Sequence, residues 1–163
     1  MRWDEFVKAC PEIGTPAQER FERDELVLLG TVSKDGWPRI SPCEVDFVDG
    51  QLTMGMMWRS PKALDLLRGS PLVVHSVQAD RHATDPDIKL SGRAIDLSEP
   101  DVREAYRQAI KQRIDWAPDE PKFHLFALDV ERAAVLSFAN DVETVTLWDP
   151  EQGLRTRTKR DDE

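Results

Sequence analysis

The 163-residue sequence has only two cysteines, Cys10 and Cys43, and three histidines. That leaves little material for a disulfide framework or a metal centre. The two cysteines form no ligand cluster and are expected as free thiols. His75, His82 and His124 share no metal-binding spacing. His75 and His124 fall within strand patterns, whereas His82 sits in a polar loop from which it could reach a substrate. Long apolar runs are missing too: the longest, such as Leu26 to Leu29, are far too short to span a bilayer, and the N-terminus lacks the apolar core of a signal peptide. The expectation is a cytoplasmic protein with no membrane partner. Positive charge is scarce, with 22 Lys and Arg against 31 Asp and Glu and a formal charge of −9, which argues against general nucleic-acid binding. An anionic ligand would need a local basic pocket. No nucleophile elbow, HExxH helix, Walker loop or dinucleotide fingerprint occurs. A chain without an acid–base set of its own borrows its chemistry from a cofactor.

What is present is a strand-rich pattern of single-domain length. Residues 1–24 read as helical, with Trp3–Ala9 as one helix and Thr15, Pro16 and Gln18 as a capping box that opens a second. From Leu26 the periodicity changes to that of strands. "LVLLGTVS", "RISPCEVDFV" and "QLTMGMM" form a meander through turns at "KDGWP" and "DG". Ile40 is out of phase with Cys43, Val45 and Phe47, which predicts a bulge or an edge position at Pro42. "LVVHSV" and "IKLSGRAIDL" follow. Ser98 and Asp101 are expected to cap a long helix whose Val102, Tyr106, Ala109, Ile110 and Ile114 form one apolar stripe. "FHLFALDV", "AAVLSF" and "TVTLWD" read as three further strands. Six to eight strands with one long inserted helix favour an antiparallel barrel over a parallel α/β sheet. Residues 150–163 carry Arg155, Arg157, Lys159 and Arg160 and read as a solvated tail.

The stretch "MWRSPKALDLLR" holds an anomaly. Ser60 suits a helix N-cap, Pro61 suits the first helical position, and Ala63, Leu64, Leu66 and Leu67 recur at helical spacing before Gly69. The N-terminal end of a helix favours anions, by about 0.3–1 kcal/mol at exposed sites, yet Arg59 and Lys62 flank it. Either both are solvated cations screened by Asp65 and Glu44, or they converge with Ser60 on a bound phosphate.

The meander, followed by "RSPKALDLLRGSPLVV" and "IKLSGRAIDL", resembles the pyridoxamine 5′-phosphate oxidase-like flavin-binding split barrels over roughly Glu25 to Trp148. The resemblance implies a mainly β fold, an antiparallel split β-barrel with peripheral helices. It divides the chain into a helical segment (1–24), a flavin-binding barrel (25–149) and a charged tail (150–163). It implies FMN, or alternatively the deazaflavin F420, with the phosphate on Ser60 and Lys62 and Arg59 beside them. Arg39, Ile40, Ser41 and Pro42 would line the ring, with Met57 and Trp58 close by. It further implies a homodimer with the cofactor at the subunit interface, and an oxidoreductase moving hydride between the cofactor and a small-molecule substrate. The first strand carries none of the basic residues needed for the phosphate of pyridoxamine phosphate, so the implied chemistry is not that oxidation. Two other readings stay open: a haem-binding or haem-degrading split barrel, and a flavin-binding carrier or sensor without turnover.

Overall fold

The computed structural model describes residues 1–78 and 84–160; His82 lies outside these. Helices α1 (Trp3–Ala9) and α2 (Pro11–Asp24) come first. The second helix begins at Pro11 rather than at Thr15, and Pro16 lies inside it. The Thr-Pro-x-Gln pattern is overridden by tertiary packing, because Ile13, Ala17 and Phe21 repeat every four residues and all enter the core. Trp3, Phe6, Ile13 and Phe21 pack with Leu29, Leu52, Met54, Leu90 and Phe126 in one cluster, so residues 1–24 and the barrel share a single apolar interior.

The strands are β1 (Leu26–Val32), β2 (Pro38–Glu44), β3 (Asp46–Val48), β4 (Gln51–Met57), β5 (Leu72–Ser76), β6 (Asp87–Asp96), β7 (Phe123–Ala139), β8 (Val142–Asp149) and β9 (Gly153–Arg160). All pairings are antiparallel, in the order β2-β1-β5-β6-β7-β4-β3, with β8 on β7 and β9 on β8. The two outer members of the path, β2 and β3, are halves of one strand interrupted at Val45. Before the break the strand pairs with β1, and after it with β4, which closes the barrel. The Val45 amide donates out of the ladder to the Glu25 carbonyl (3.2 Å), and its side chain is buried. The irregularity expected at Pro42 therefore lies three residues later. Pro42 itself sits in unbroken register opposite Leu28, on an edge strand that can accommodate a missing N–H.

Two expected strands, "FHLFALDV" and "AAVLSF", are one 17-residue strand. Between Ser91 and Gly92 the β6–β7 register slips, so that Glu131 has no direct partner. This bulge turns the strand without ending it. Gly92 is required there: a Cβ would stand 1.9 Å from the Asp129 carbonyl oxygen.

Residues expected as a frayed tail form β9, paired with β8 from Asp149↔Gly153 to Val142↔Arg160. The connecting turn explains it. The Asp149 carboxylate accepts from the Glu151 and Gln152 amides (3.0 and 2.8 Å) and from Arg155 Nη2 (2.6 Å), an Asx-type turn that fixes the hairpin.

Helix α3 spans Pro61–Leu67 and packs against β1 and β6. Helix α4 spans Pro100–Ile114, with Glu99 rather than Ser98 at the N-cap and no side-chain capping bond. Tyr106 and Ile110 are buried, Val102 and Ala109 pack beside them, and Ile114 is exposed. Together they form a second cluster with Phe123, Leu125 and Ala127 on the outer face of β7. No described helix is long and apolar enough to cross a membrane.

Candidate functional site

Strand β4 ends at Met57 in a tight turn in which the Ser60 amide donates to the Met57 carbonyl (3.1 Å). Arg59 takes the left-handed backbone conformation there, φ 56°, unusual for a residue with a side chain. The turn delivers Ser60 to the start of α3. Contrary to expectation, the Ser60 hydroxyl makes no capping bond; its Oγ is buried without a partner. Lys62, two residues later, donates from Nζ to the Pro42 carbonyl (2.6 Å). No carboxylate lies within ion-pair distance of Lys62 among the described residues. Asp65 cannot screen it: Asp65 is 1% exposed and accepts from Arg39 Nε (2.8 Å), Thr31 Oγ1 (2.9 Å) and Arg68. Burial pushes that carboxyl up, but these three hydrogen bonds prevail and hold it below the ordinary carboxylate range.

Of the nine residues predicted to hold a cofactor, Pro42, Met57, Trp58, Ser60 and Lys62 line one cleft of about 610 Å³, within the usual range for ligand pockets. Arg39 and Ile40 line a separate groove of about 420 Å³. The two spaces adjoin along β2, because Ile40 and Pro42 are alternate residues on its exposed face. Ser41 and Arg59 line neither. The Ser41 hydroxyl is buried without a partner, and Arg59 is exposed.

The cleft is shaped by groups that the sequence pattern did not mark. Tyr106 reaches in from α4 and rests on Gly55, where a Cβ would stand 1.9 Å from the phenol oxygen. Trp116, 58% exposed, forms part of the opposite wall. Its loop is pinned to α4 by Arg107 Nε on the Pro118 carbonyl (2.9 Å) and by Arg103 on both oxygens of Glu120 (2.9 and 2.8 Å). The only local signal was a tryptophan directly after a helix stop. Cys43 also lines the cleft; burial drives its thiol up to about 11, against the pull of the Lys62 ammonium. It stays protonated, as does Tyr106, whose phenol is pushed up by burial and by nearby Cys43, Glu44 and Asp46. Neither is a base at neutral pH.

The Trp58 indole stacks on His124, centroids 4.6 Å apart and planes at 6°. His124 Nε2 is buried without a partner. Burial lowers the His124 pKa, with Asp96 opposing the shift and Arg103 adding to it. His75 contacts the Ser76 carbonyl through Nδ1 (2.6 Å) and lines the groove, not the cleft. Among the described residues no group of three or more His, Cys, Asp or Glu is placed to hold a metal ion.

No family profile and no curated protein matches the sequence. Solved structures do match the fold. A pyridoxamine 5′-phosphate oxidase-related, FMN-binding protein from Nostoc punctiforme PCC 73102 superposes with TM-score 0.66 at 16% identity, covering 90% of this chain and 95% of that one. PhzG from Burkholderia lata 383, in complex with tetrahydrophenazine-1-carboxylic acid, gives TM-score 0.63 at 14% identity, over 96% and 92%. A heme binding protein from Mycobacterium smegmatis gives TM-score 0.55 at 14% identity, over 89% of this chain and 57% of that one. The chain thus has the split-barrel fold of the pyridoxamine 5′-phosphate oxidase-like proteins, as the sequence resemblance implied.

Proposed function

We propose that the protein is an oxidoreductase that binds FMN, or alternatively F420, with the cofactor phosphate on Ser60 and Lys62. The observation that carries this reading is a pair of polar groups the chain leaves incomplete: the orphaned Ser60 hydroxyl and the Lys62 ammonium, whose one partner among the described residues is a main-chain carbonyl. A buried polar atom without a partner costs about 1–3 kcal/mol, and a phosphate oxygen relieves it while pairing with the ammonium. Helix α3 has only seven residues, so the weight rests on these two side chains rather than on the field of the helix.

When bound, such a cofactor accepts or delivers hydride at its ring. The chain's own part is to position it and to exclude water. Pro42, Met57, Trp58 and Trp116 offer apolar surface to the ring, and Ile40 extends that surface along β2. The FMN-binding protein of the same fold from Nostoc supports the flavin reading.

Met57, Ile40, Trp37 and Trp58 are all large apolar side chains more than half exposed. Large uncovered apolar surface of this kind marks an interface, and a two-fold dimer that covers it would complete the site. Two unpaired cysteines accord with action in the cytoplasm.

A haem reading needs an imidazole nitrogen free to meet iron. Stacking under Trp58 and a buried Nε2 count against His124, and His75 lies outside the cleft. Saturable binding of FMN or F420, followed by hydride exchange with a redox partner, tests the proposal. Binding without exchange would favour a carrier, and binding of neither would refute the proposal.

A further inference from the structure

Tyr106 is 5% exposed, and its phenol is fixed on two sides within the wall of the cleft. The ring stacks on Phe123, centroids 5.9 Å apart and planes at 24°, and the oxygen rests on Gly55, where a Cβ would stand 1.9 Å away. Gly55 is what admits it. The hydroxyl has no hydrogen-bond partner among the described residues, and unlike the Ser60 hydroxyl it is not sealed off from the cleft. A buried phenol held in one orientation therefore leaves its proton open to whatever the cleft contains.

We propose that Tyr106 is a cofactor-binding residue whose hydroxyl donates to a ring carbonyl oxygen of the flavin or deazaflavin. The ring rests on the function proposed above; the free donor does not. Gly55 and Met57 are alternate residues on one face of β4, about 7 Å apart by the rise of a strand, so a hydroxyl over Gly55 lies beside the apolar surface that Met57 offers a ring. Ser60 and Lys62 follow on the other side of Met57 along the chain, which separates this donor from the phosphate. Charge decides what the donor takes. Burial, then Cys43, Glu44 and Asp46, keep the proton on the phenol against the pull of Arg113. The same carboxylates disfavour a second phosphate or a carboxylate beside the hydroxyl, whereas a neutral carbonyl brings only a lone pair. Asp119 and Lys122, also on the cleft wall, add one charge of each sign and leave that balance unchanged. Reduction of the ring puts negative charge onto its carbonyl edge, and a hydrogen bond to a charged acceptor is the stronger kind. Tyr106 therefore favours the reduced cofactor.

Tyr106→Phe removes the oxygen alone. The probes are FMN and F420, each beside its form without the phosphate, riboflavin and the deazaflavin FO, titrated into the full chain. Tyr106→Phe should weaken the bound cofactor and its phosphate-free form by one common factor, about three- to tenfold, whereas Lys62→Ala should weaken only the phosphorylated one. The potential of the bound cofactor should fall in Tyr106→Phe by about 30 mV, the equivalent of the reduced ring losing tenfold more affinity than the oxidised ring. Without cofactor the variant should melt no lower than wild type, since the hydroxyl has no protein partner to lose. An unchanged potential overturns the proposal. So does weakening confined to the phosphorylated form, which would put Tyr106 on the phosphate, and so does a lowered cofactor-free melting midpoint, which would give the hydroxyl a structural role. Binding indifferent to Lys62→Ala, with the effects of Tyr106→Phe intact, would refute the phosphate clamp and leave Tyr106 standing. Wild type that binds none of the four probes refutes both.

Discussion

The Lys62 ammonium donates to the Pro42 carbonyl across 2.6 Å. This bond ties the start of α3 to the exposed strand β2, and it joins two features that are 20 residues apart in the sequence: an unneutralised cation and a proline on an edge strand. It holds the ammonium at the mouth of the cleft, one proton engaged and two available.

Asp65 should dominate the stability of this end of the barrel. Asp65→Asn removes the charge shared by Arg39 and Arg68, and breaking such a buried pair costs about 3–5 kcal/mol, at the lower end here because both arginines are partly exposed. Urea unfolding at pH 7 measures it. The pH dependence has a definite sign. The folded pKa lies below the ordinary value, so the contribution is complete above about 3.9, the unfolded value, and is lost as pH falls through the folded one. Wild type and Asp65→Asn should therefore converge in stability only in strong acid.

His124 titrates with the same sign for a different reason. Its pKa is lowered chiefly because burial disfavours the charged ring, so stability is complete above about 6.5 and declines as pH falls below it toward the folded value. His124→Phe keeps a flat ring under Trp58 and should remove that decline. Denaturation midpoints between pH 7.5 and 5 that fall equally in both proteins would locate the titration elsewhere.

Gly55 has no room for a side chain. Gly55→Ala drives a methyl group into the Tyr106 phenol, and overpacking of this kind costs about 1–3 kcal/mol. Thermal unfolding should show a lowered midpoint, and an unchanged one would mean that α4 shifts freely over β4.

Hydrogen exchange should show protected amides within residues 153–160, since that segment is a paired strand and not a tail. Its error in the sequence reading is instructive. Four cations among few apolar residues resemble a solvated end, and composition alone gives no credit for the Asp149 turn that makes a hairpin of them. The same limit applied at Val45, where barrel closure rather than local pattern sets the break, and at Trp116, which only the pinning of its loop by Arg103 and Arg107 brings to the cleft. Local signals served best where they described contiguous chain: α1, the meander, and the short helix that starts at Pro61. Arg39 shares strand β2 with Pro42, but its guanidinium bonds Asp65 on the face opposite to Ile40, and this long-range pairing has no mark in the local pattern.

The central claim is that Ser60 and Lys62 hold a phosphate, and titrating wild type, Lys62→Ala and Ser60→Ala with FMN and with F420 tests it most directly. Quenching of tryptophan fluorescence gives the affinity, since Trp58 and Trp116 line the cleft. Lys62→Ala should weaken binding of the cognate cofactor by about 1.5–3 kcal/mol. Ser60→Ala should weaken it less and should not lower the thermal stability of the cofactor-free protein, because the hydroxyl caps nothing and is buried without a partner. Undiminished affinity of Lys62→Ala for both cofactors would contradict the account and leave Lys62 a surface lysine on a carbonyl.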